Sequence, residues 1–218
     1  MNLDARDLMS LQAYAACRPA YRERAIAHRR ARTVQLGPAM RLQFEDAHTI
    51  RYQVQEVLHA ERVADPEAAR HELHAYAHLL PNGTEWTASL LIELPEAAER
   101  ARAMPVLSEA VHFLYVQARG RARVLVSANE DQPDRHRSRP SGVHFLRFRL
   151  PPPMRAQLLA GAAVAIGCTH PAYSWHAPLP AATLACLRVD LEPEREPALV
   201  ALPTLGRPAL PLVPATRP

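Results

Sequence analysis

Apolar and polar positions alternate with a period of two through Val34, Leu36, Met40, Leu42 and Phe44, with Gln35, Arg41, Gln43 and Glu45 between them and Gly37-Pro38 at the midpoint. That pattern predicts a half-buried β-hairpin. The spacing then becomes helical. Ile50, Val54, Val57 and Leu58 form one stripe, with Glu61 on it, behind an Asp46 placed to cap the helix. Asp65-Pro66-Glu67 opens another helix, which runs to about Leu80 with Leu73, Tyr76 and Leu80 inward and is ended by Pro81-Asn82-Gly83. Upstream, residues 4–32 read as two helices broken at Arg18-Pro19, because proline ends one helix and suits the first turn of the next.

Downstream, Trp86, Ala88, Leu90 and Ile92 alternate as a strand, residues 95–103 return to helix, and residues 111–116 and 122–126 are strands around an Arg119-Gly120-Arg121 turn. Residues 127–141 have the composition of a surface loop. A strand follows over 143–150, then a short helix over 152–160 closed by Gly161, a strand of small residues over 162–169, and a last helix after Pro180. The last 26 residues, from Pro193, hold seven prolines and no apolar period, which predicts a disordered proline-rich tail over 193–218. Residues 1–192 then form a single α+β domain, with a mixed or largely antiparallel sheet and helices packed on one side.

Composition adds three constraints. The longest apolar run, residues 158–168, is too short for a bilayer and holds two glycines, and the N-terminus does not read as a signal peptide, since Asp4, Arg6 and Asp7 precede only a short mixed segment, so a cytoplasmic protein is expected. Cys17, Cys168 and Cys186 are too far apart for a thiolate zinc motif and odd in number, which fits reduced thiols. All 26 basic residues are arginines, yet the net charge is only +4, which argues against a dedicated nucleic-acid binder. Charge is uneven: residues 1–32 carry seven Arg against three acids, residues 119–149 eight against three. The two segments either meet as a patch for an anionic partner or lie apart as solvated surfaces.

Candidate chemistry is sparse. There is no phosphate-binding glycine loop, nucleophile elbow or zinc-protease helix, so common nucleotide enzymes and hydrolases drop out. His71, His74 and His78 fall on one arc of a predicted helix, either as a metal clasp or as its outward polar face. His144 shares a strand face with Leu146, Phe148 and Leu150, while Phe145, Arg147 and Arg149 face the other way. His170, Tyr173, Trp175 and His176 gather where a strand gives way to a loop, a setting for a metal, haem or aromatic ligand as much as for ordinary packing. His144 and His170 are thus candidate metal ligands. Glu61, Glu45 and Arg51 suggest a buried ion-paired cluster, since a buried carboxylate needs a partner.

Several strings also carry a family resemblance: Leu42-Gln43-Phe44-Glu45-Asp46, the stretch from Thr49 to Glu56, Glu61-Arg62, Asn82-Gly83-Thr84-Glu85-Trp86, Val143 to Phe148, and Ala165-Ile166-Gly167 with His170-Pro171-Ala172-Tyr173. Together they resemble an uncharacterised bacterial family catalogued as domain of unknown function 3501, over roughly residues 3–190. Arg51, Glu61, His144, Arg147, His170 and Tyr173 fall inside the matched strings and are the candidate ligand-binding residues. The His71, His74, His78 row is not part of the family's pattern. The resemblance implies a place near rubrerythrin-like di-iron proteins or iron–sulfur oxidoreductases. It therefore implies a non-enzymatic accessory or ligand-binding role in redox metabolism or oxidative stress. The alternatives are a metal- or haem-dependent enzyme using a His/Tyr/Glu site, and a binder of an anionic partner through the arginine-rich segments.

Overall fold

The computed structural model describes residues 3–128 and 141–192. The predicted tail over 193–218 and most of the predicted loop, residues 129–140, lie outside the described residues. The elements run α1 (Leu11–Ala31), β1 (Thr33–Leu36), β2 (Met40–Phe44), α2 (Ala47–Glu61), α3 (Pro66–Tyr76), β3 (Glu85–Ile92), α4 (Ala97–Ala110), β4 (Leu114–Ala118), β5 (Val124–Leu125), β6 (Ser127–Ala128), β7 (Val143–Arg149), α5 (Pro152–Leu159), β8 (Val164–His170), β9 (Tyr173–Pro178) and α6 (Ala181–Val189). The α+β class and the antiparallel pairing expected from the sequence hold, but the strands divide between two sheets. One has the order β1-β2-β3-β7-β6 and the other β5-β4-β8-β9, with every neighbouring pair antiparallel. Among the described residues no helix is long and apolar enough to cross a membrane.

The two sheets face one another across the main core. Leu42, Phe44, Trp86, Ala88, Leu90, Leu146 and Phe148 project from the first sheet, and Leu114, Val116, Ile166 and Cys168 from the second. Period-two alternation is what sorts these residues inward. At one edge the chain itself joins the sheets, because β5 and β6 are separated only by Val126, whose N–H donates to the Leu114 carbonyl at 2.9 Å. At the other edge a side chain does so. The Tyr173 hydroxyl on β9 donates to the Leu36 carbonyl at 2.6 Å and accepts from the Ala39 N–H at 3.1 Å, which pins the β1–β2 turn. Trp175 lies over the same turn, where Gly37 has φ +66° and a Cβ would come within 2.7 Å of the indole. Glycine is required there for both backbone and space.

The back of the first sheet carries Phe145 into a second core with Ile50, Val54, Leu58, Leu73 and Leu79 from α2, α3 and the turn after α3. Three layers result, with helices on the five-stranded sheet and that sheet on the four-stranded one. Leu107 of α4, Met154 and Leu158 of α5, and Leu184 and Leu187 of α6 close the main core at its margins. Trp86 is anchored by donating from Nε1 to the Leu187 carbonyl at 2.9 Å.

Four expectations are corrected. Pro19 does not break the first helix: α1 runs unbroken through it, as α4 does through Pro105. In each case the carbonyl four residues back, of Ala15 and of Ala101, belongs to an exposed residue, so solvent satisfies what proline leaves unbonded. Residues 111–113 form a 3-10 turn, and only from Leu114 does the chain become a strand. The region after His170 is not a loop but β9, paired along β8 from His170–Tyr173 to Ala165–Pro178. Ser127 and Ala128, expected to begin a loop, form β6 against β7.

Removing the Tyr173 hydroxyl strands a buried carbonyl and a buried N–H together. Tyr173→Phe is expected to lower stability by about 1–3 kcal/mol. Gly37→Ala should cost at least as much, since left-handed strain and contact with Trp175 add. Urea unfolding of the two variants against the parent checks both, and a Tyr173→Phe midpoint equal to the parent's would show that the hydroxyl does not hold the edge.

Candidate functional site

Aliphatic side chains on α2 point at the sheet, which leaves its flank toward α1 to other residue types. Tyr52 and Gln55 are buried there, with Glu56 and His59 beside them. On α1 only Tyr14 is fully buried among 21 residues. The two helices pack antiparallel, so the contacts run in opposite numbering: Tyr14 with Glu56 and His59, Tyr21 with Tyr52, His28 with Asp46 and His48. The seam is thus aromatic and ionic, held by directional contacts rather than by an oily stripe. Gln55 fixes where the chain enters α1, accepting from Met9 N–H at 2.9 Å and donating to Met9 O at 3.0 Å.

In the middle of the seam Glu56 gathers three donors. Arg18 grips it with Nε at 3.0 Å and a terminal nitrogen at 2.8 Å, and the Tyr14 hydroxyl donates to it. The Arg18 hydrogen bonds hold the Glu56 carboxyl below its usual range, while burial, then the neighbouring carboxylate, pushes the Tyr14 phenol up.

At the C-terminal end of α1 stands Arg32, 2% exposed. Its guanidinium donates to the carbonyls of Phe44 and Glu45, both at 3.3 Å, lies 3.4 Å from Asp46, and pairs with Asp190 just after α6. Asp46 also caps α2 by accepting from Thr49 N–H at 2.9 Å, and its Oδ2 meets His28 Nε2 at 2.7 Å. Two carboxylates therefore share one guanidinium unequally. Burial works to raise both pKa values. For Asp46 the hydrogen bond from His28 and the charges of Arg32 and His28 outweigh burial and hold it well below the ordinary range. Asp190 has Arg32 but is opposed by Asp46, and is pushed up to about 7. Such a split is how a pair of carboxylates divides into a permanent anion and a group that exchanges a proton near neutrality.

Beside this cluster the seam is cationic. Arg51, in the first turns of α2, keeps an Nε shielded from solvent with no acceptor among the described residues. Its charge acts on both Tyr21 and His48, and Arg24 lies 6.0 Å from the Tyr21 ring centroid. Desolvation, aided by His28, Arg51 and Arg32, lowers the pKa of His48 despite the attraction of Asp46.

The residues singled out from the sequence do not assemble as one centre. Arg51 is in the seam. Glu61 is exposed at the last position of α2, because the chain turns away at Arg62 and Val63 takes up the apolar packing instead. Glu45 is buried as expected, but hydroxyls rather than arginine serve it: Ser89 donates at 2.7 Å and Thr49 assists, while burial keeps its pKa raised. His144 is in the main core with Nε2 2.8 Å from the Ser141 carbonyl. Arg147, on the opposite face, donates to the His78 carbonyl at 3.2 Å. His170 accepts from Ala172 N–H at 3.2 Å and packs edge-on against Phe113, while its cross-strand neighbour Tyr173 holds the β1–β2 turn. The row of three histidines is broken because α3 ends at Tyr76; His71 and His74 are exposed, and His78, in the following turn, packs on Phe145. Among the described residues no group of three or more His, Cys, Asp or Glu side chains is placed to hold a metal ion. Sequence reading missed Arg32, Asp190 and His28, whose only signal was charge close to the ends of helices.

The sign of the pH response follows from the two shifts. Stability from Asp46, with its depressed folded pKa, is present above about pH 4 and is lost as pH falls toward the folded value. That from Asp190 is fully present below about pH 4 and is lost as pH rises to about 7. Between about pH 5 and about pH 8 the parent should therefore lose ~2–3 kcal/mol relative to Asp190→Asn, seen as several degrees in thermal melts at constant ionic strength. Superimposable pH profiles for the two chains would exclude Asp190 as the titrating group.

The match to known proteins is consistent with this architecture but adds no activity. A solved crystal structure of a protein of unknown function from Burkholderia pseudomallei K96243 is similar to this chain with 38% identity and a TM-score of 0.85, over 88% of this chain and 100% of that one. A search of curated proteins finds no match. The family model described as "Protein of unknown function (DUF3501)" matches residues 2–191, and the chain belongs to that family.

Proposed function

We propose that this protein is a non-enzymatic accessory module of a bacterial redox or oxidative-stress system, and that it binds an acidic partner protein through the outer side of the α1–α2 pair. The observation that carries the reading is the charge on that side. Helix α1 bears five arginines against the single acid Glu23, and Arg22, Arg24 and Arg30 are exposed. Arg51, in the seam behind them, adds its positive charge. Cationic surfaces of this kind steer and orient acidic partners, with most of the effect on encounter rate and specificity.

In the second arginine-rich segment, Arg123 does not extend this surface. Arg123 lies 4.3 Å over the Tyr115 ring, and Tyr115 stands on the outer face of the four-stranded sheet against Gly167 and His176. Two sheets separate it from α1. The partner class comes from the family resemblance, which implies rubrerythrin-like di-iron proteins or iron–sulfur oxidoreductases as neighbours.

Calorimetric titration of the full chain with a rubrerythrin-like di-iron protein from the same genome tests the reading. The dissociation constant should rise about tenfold or more when salt is raised from about 50 to about 300 mM, as exposed charges are screened. The double substitution Arg24→Glu, Arg30→Glu, both on exposed positions, should weaken binding by a further ~10-fold or more. No complex in either oxidation state of the partner, or an affinity flat with salt, would overturn it.

A further inference from the structure

The antiparallel seam ends, where α1 begins and α2 stops, in an open groove of about 500 Å³ lined by Leu11, Gln12, Ala15, His59, Ala60 and Arg62. Its apolar side chains come from both helices, and its cation, Arg62, stands just past the end of α2. Glu56, the acid on the same flank, is already engaged by Arg18 and Tyr14, and Glu61 is not part of the lining. The groove is therefore apolar beneath and positive at one rim.

Arg62 is the only non-glycine residue with positive φ among the described residues, at φ 56° and ψ 36°. Its N–H and that of Val63 both return to the Leu58 carbonyl, the latter at 2.9 Å, in the turn that ends the helix. Glycine is the residue that such a left-handed position favours. The chain instead places there a long cationic side chain that backbone preference does not ask for, and it lines the groove.

We infer that this groove receives an aliphatic side chain with an adjoining Asp or Glu from the acidic partner. The aliphatic group packs on Leu11, Ala15 and Ala60, and the carboxylate meets Arg62 and His59. The inference rests on the proposed function, since it describes how that partner is anchored.

The probe is the tetrapeptide N-acetyl-Leu-Glu-Leu-Glu-amide, titrated into the isotopically labelled full chain and followed by amide shifts, with the Leu-Lys-Leu-Lys analogue as control. Saturable shifts should centre on Gln12, Ala15, His59, Ala60 and Arg62 and be absent with the lysine peptide. Arg62→Gly keeps the left-handed turn, so its melting temperature should equal or exceed the parent's while peptide affinity falls about tenfold. Ala15→Leu, which fills the groove without changing charge, should weaken the peptide similarly. Absence of shifts at about 10 mM peptide, a millimolar-affinity limit, equal response to the lysine peptide, or unaltered affinity in both variants would overturn the inference. A complex with the di-iron protein that is weakened by Arg24→Glu, Arg30→Glu but not by Arg62→Gly would remove the groove alone. Peptide binding in the groove without any such complex would remove the redox partner and leave the groove.

Discussion

The guanidinium of Arg32 is the charge around which the helical layer is organised. An arginine this deeply buried is tolerated only if its donors are met, because an uncompensated buried cation costs several kcal/mol. The partners come from three places in the chain: the carbonyls at the end of β2, the capping residue of α2 and the residue after α6. Residues 46 and 190 are thereby brought to one point, and the end of α1 is tied to both. The same carboxylate that starts α2 thus also holds α1, so capping and tertiary docking are one interaction seen from two elements.

Above that point α1 is attached by tyrosines, histidines and ion pairs. Contacts of this kind fix orientation well but contribute less burial than aliphatic packing, which on this side of the sheet is centred on α2 and α3, with only Leu11 joining it from α1. The outward side of α1 is correspondingly free of structural duty, and its arginines need no role in the core. A helix that is needed for little packing and carries one sign of charge is a suitable carrier of recognition, and this division of labour is what joins the fold to the proposed function.

Much of the architecture was legible from the sequence because it rests on periodicity. The hairpin around Gly37-Pro38, the cap at Asp46, the alternation from Trp86 to Ile92 and the His144 face all follow from side chains that must choose between core and solvent. The misreadings have a shared cause. Pro19 is a strong local signal, yet an exposed helix back lets solvent absorb the lost hydrogen bond. Residues 173–178, with Pro178 at the end, look irregular, yet β8 offers a ladder to pair with. The site was the least legible part, since Arg32 meets Asp190 across 158 positions and no local pattern encodes such a meeting. Gln55 is likewise buried for the sake of a backbone segment 46 residues away.

The two ways in which the sheets are joined have different histories along the chain. The β5–β6 crossing is formed by consecutive residues and closes a loop of almost no length. The Tyr173 contact spans 134 and 137 positions to the β1–β2 turn, and loop-closure entropy sets a higher cost on bringing such distant segments together. Contacts of high sequence separation slow folding. By that argument the sandwich closes first on its chain-linked side, and the phenol clasps the β1–β2 turn late.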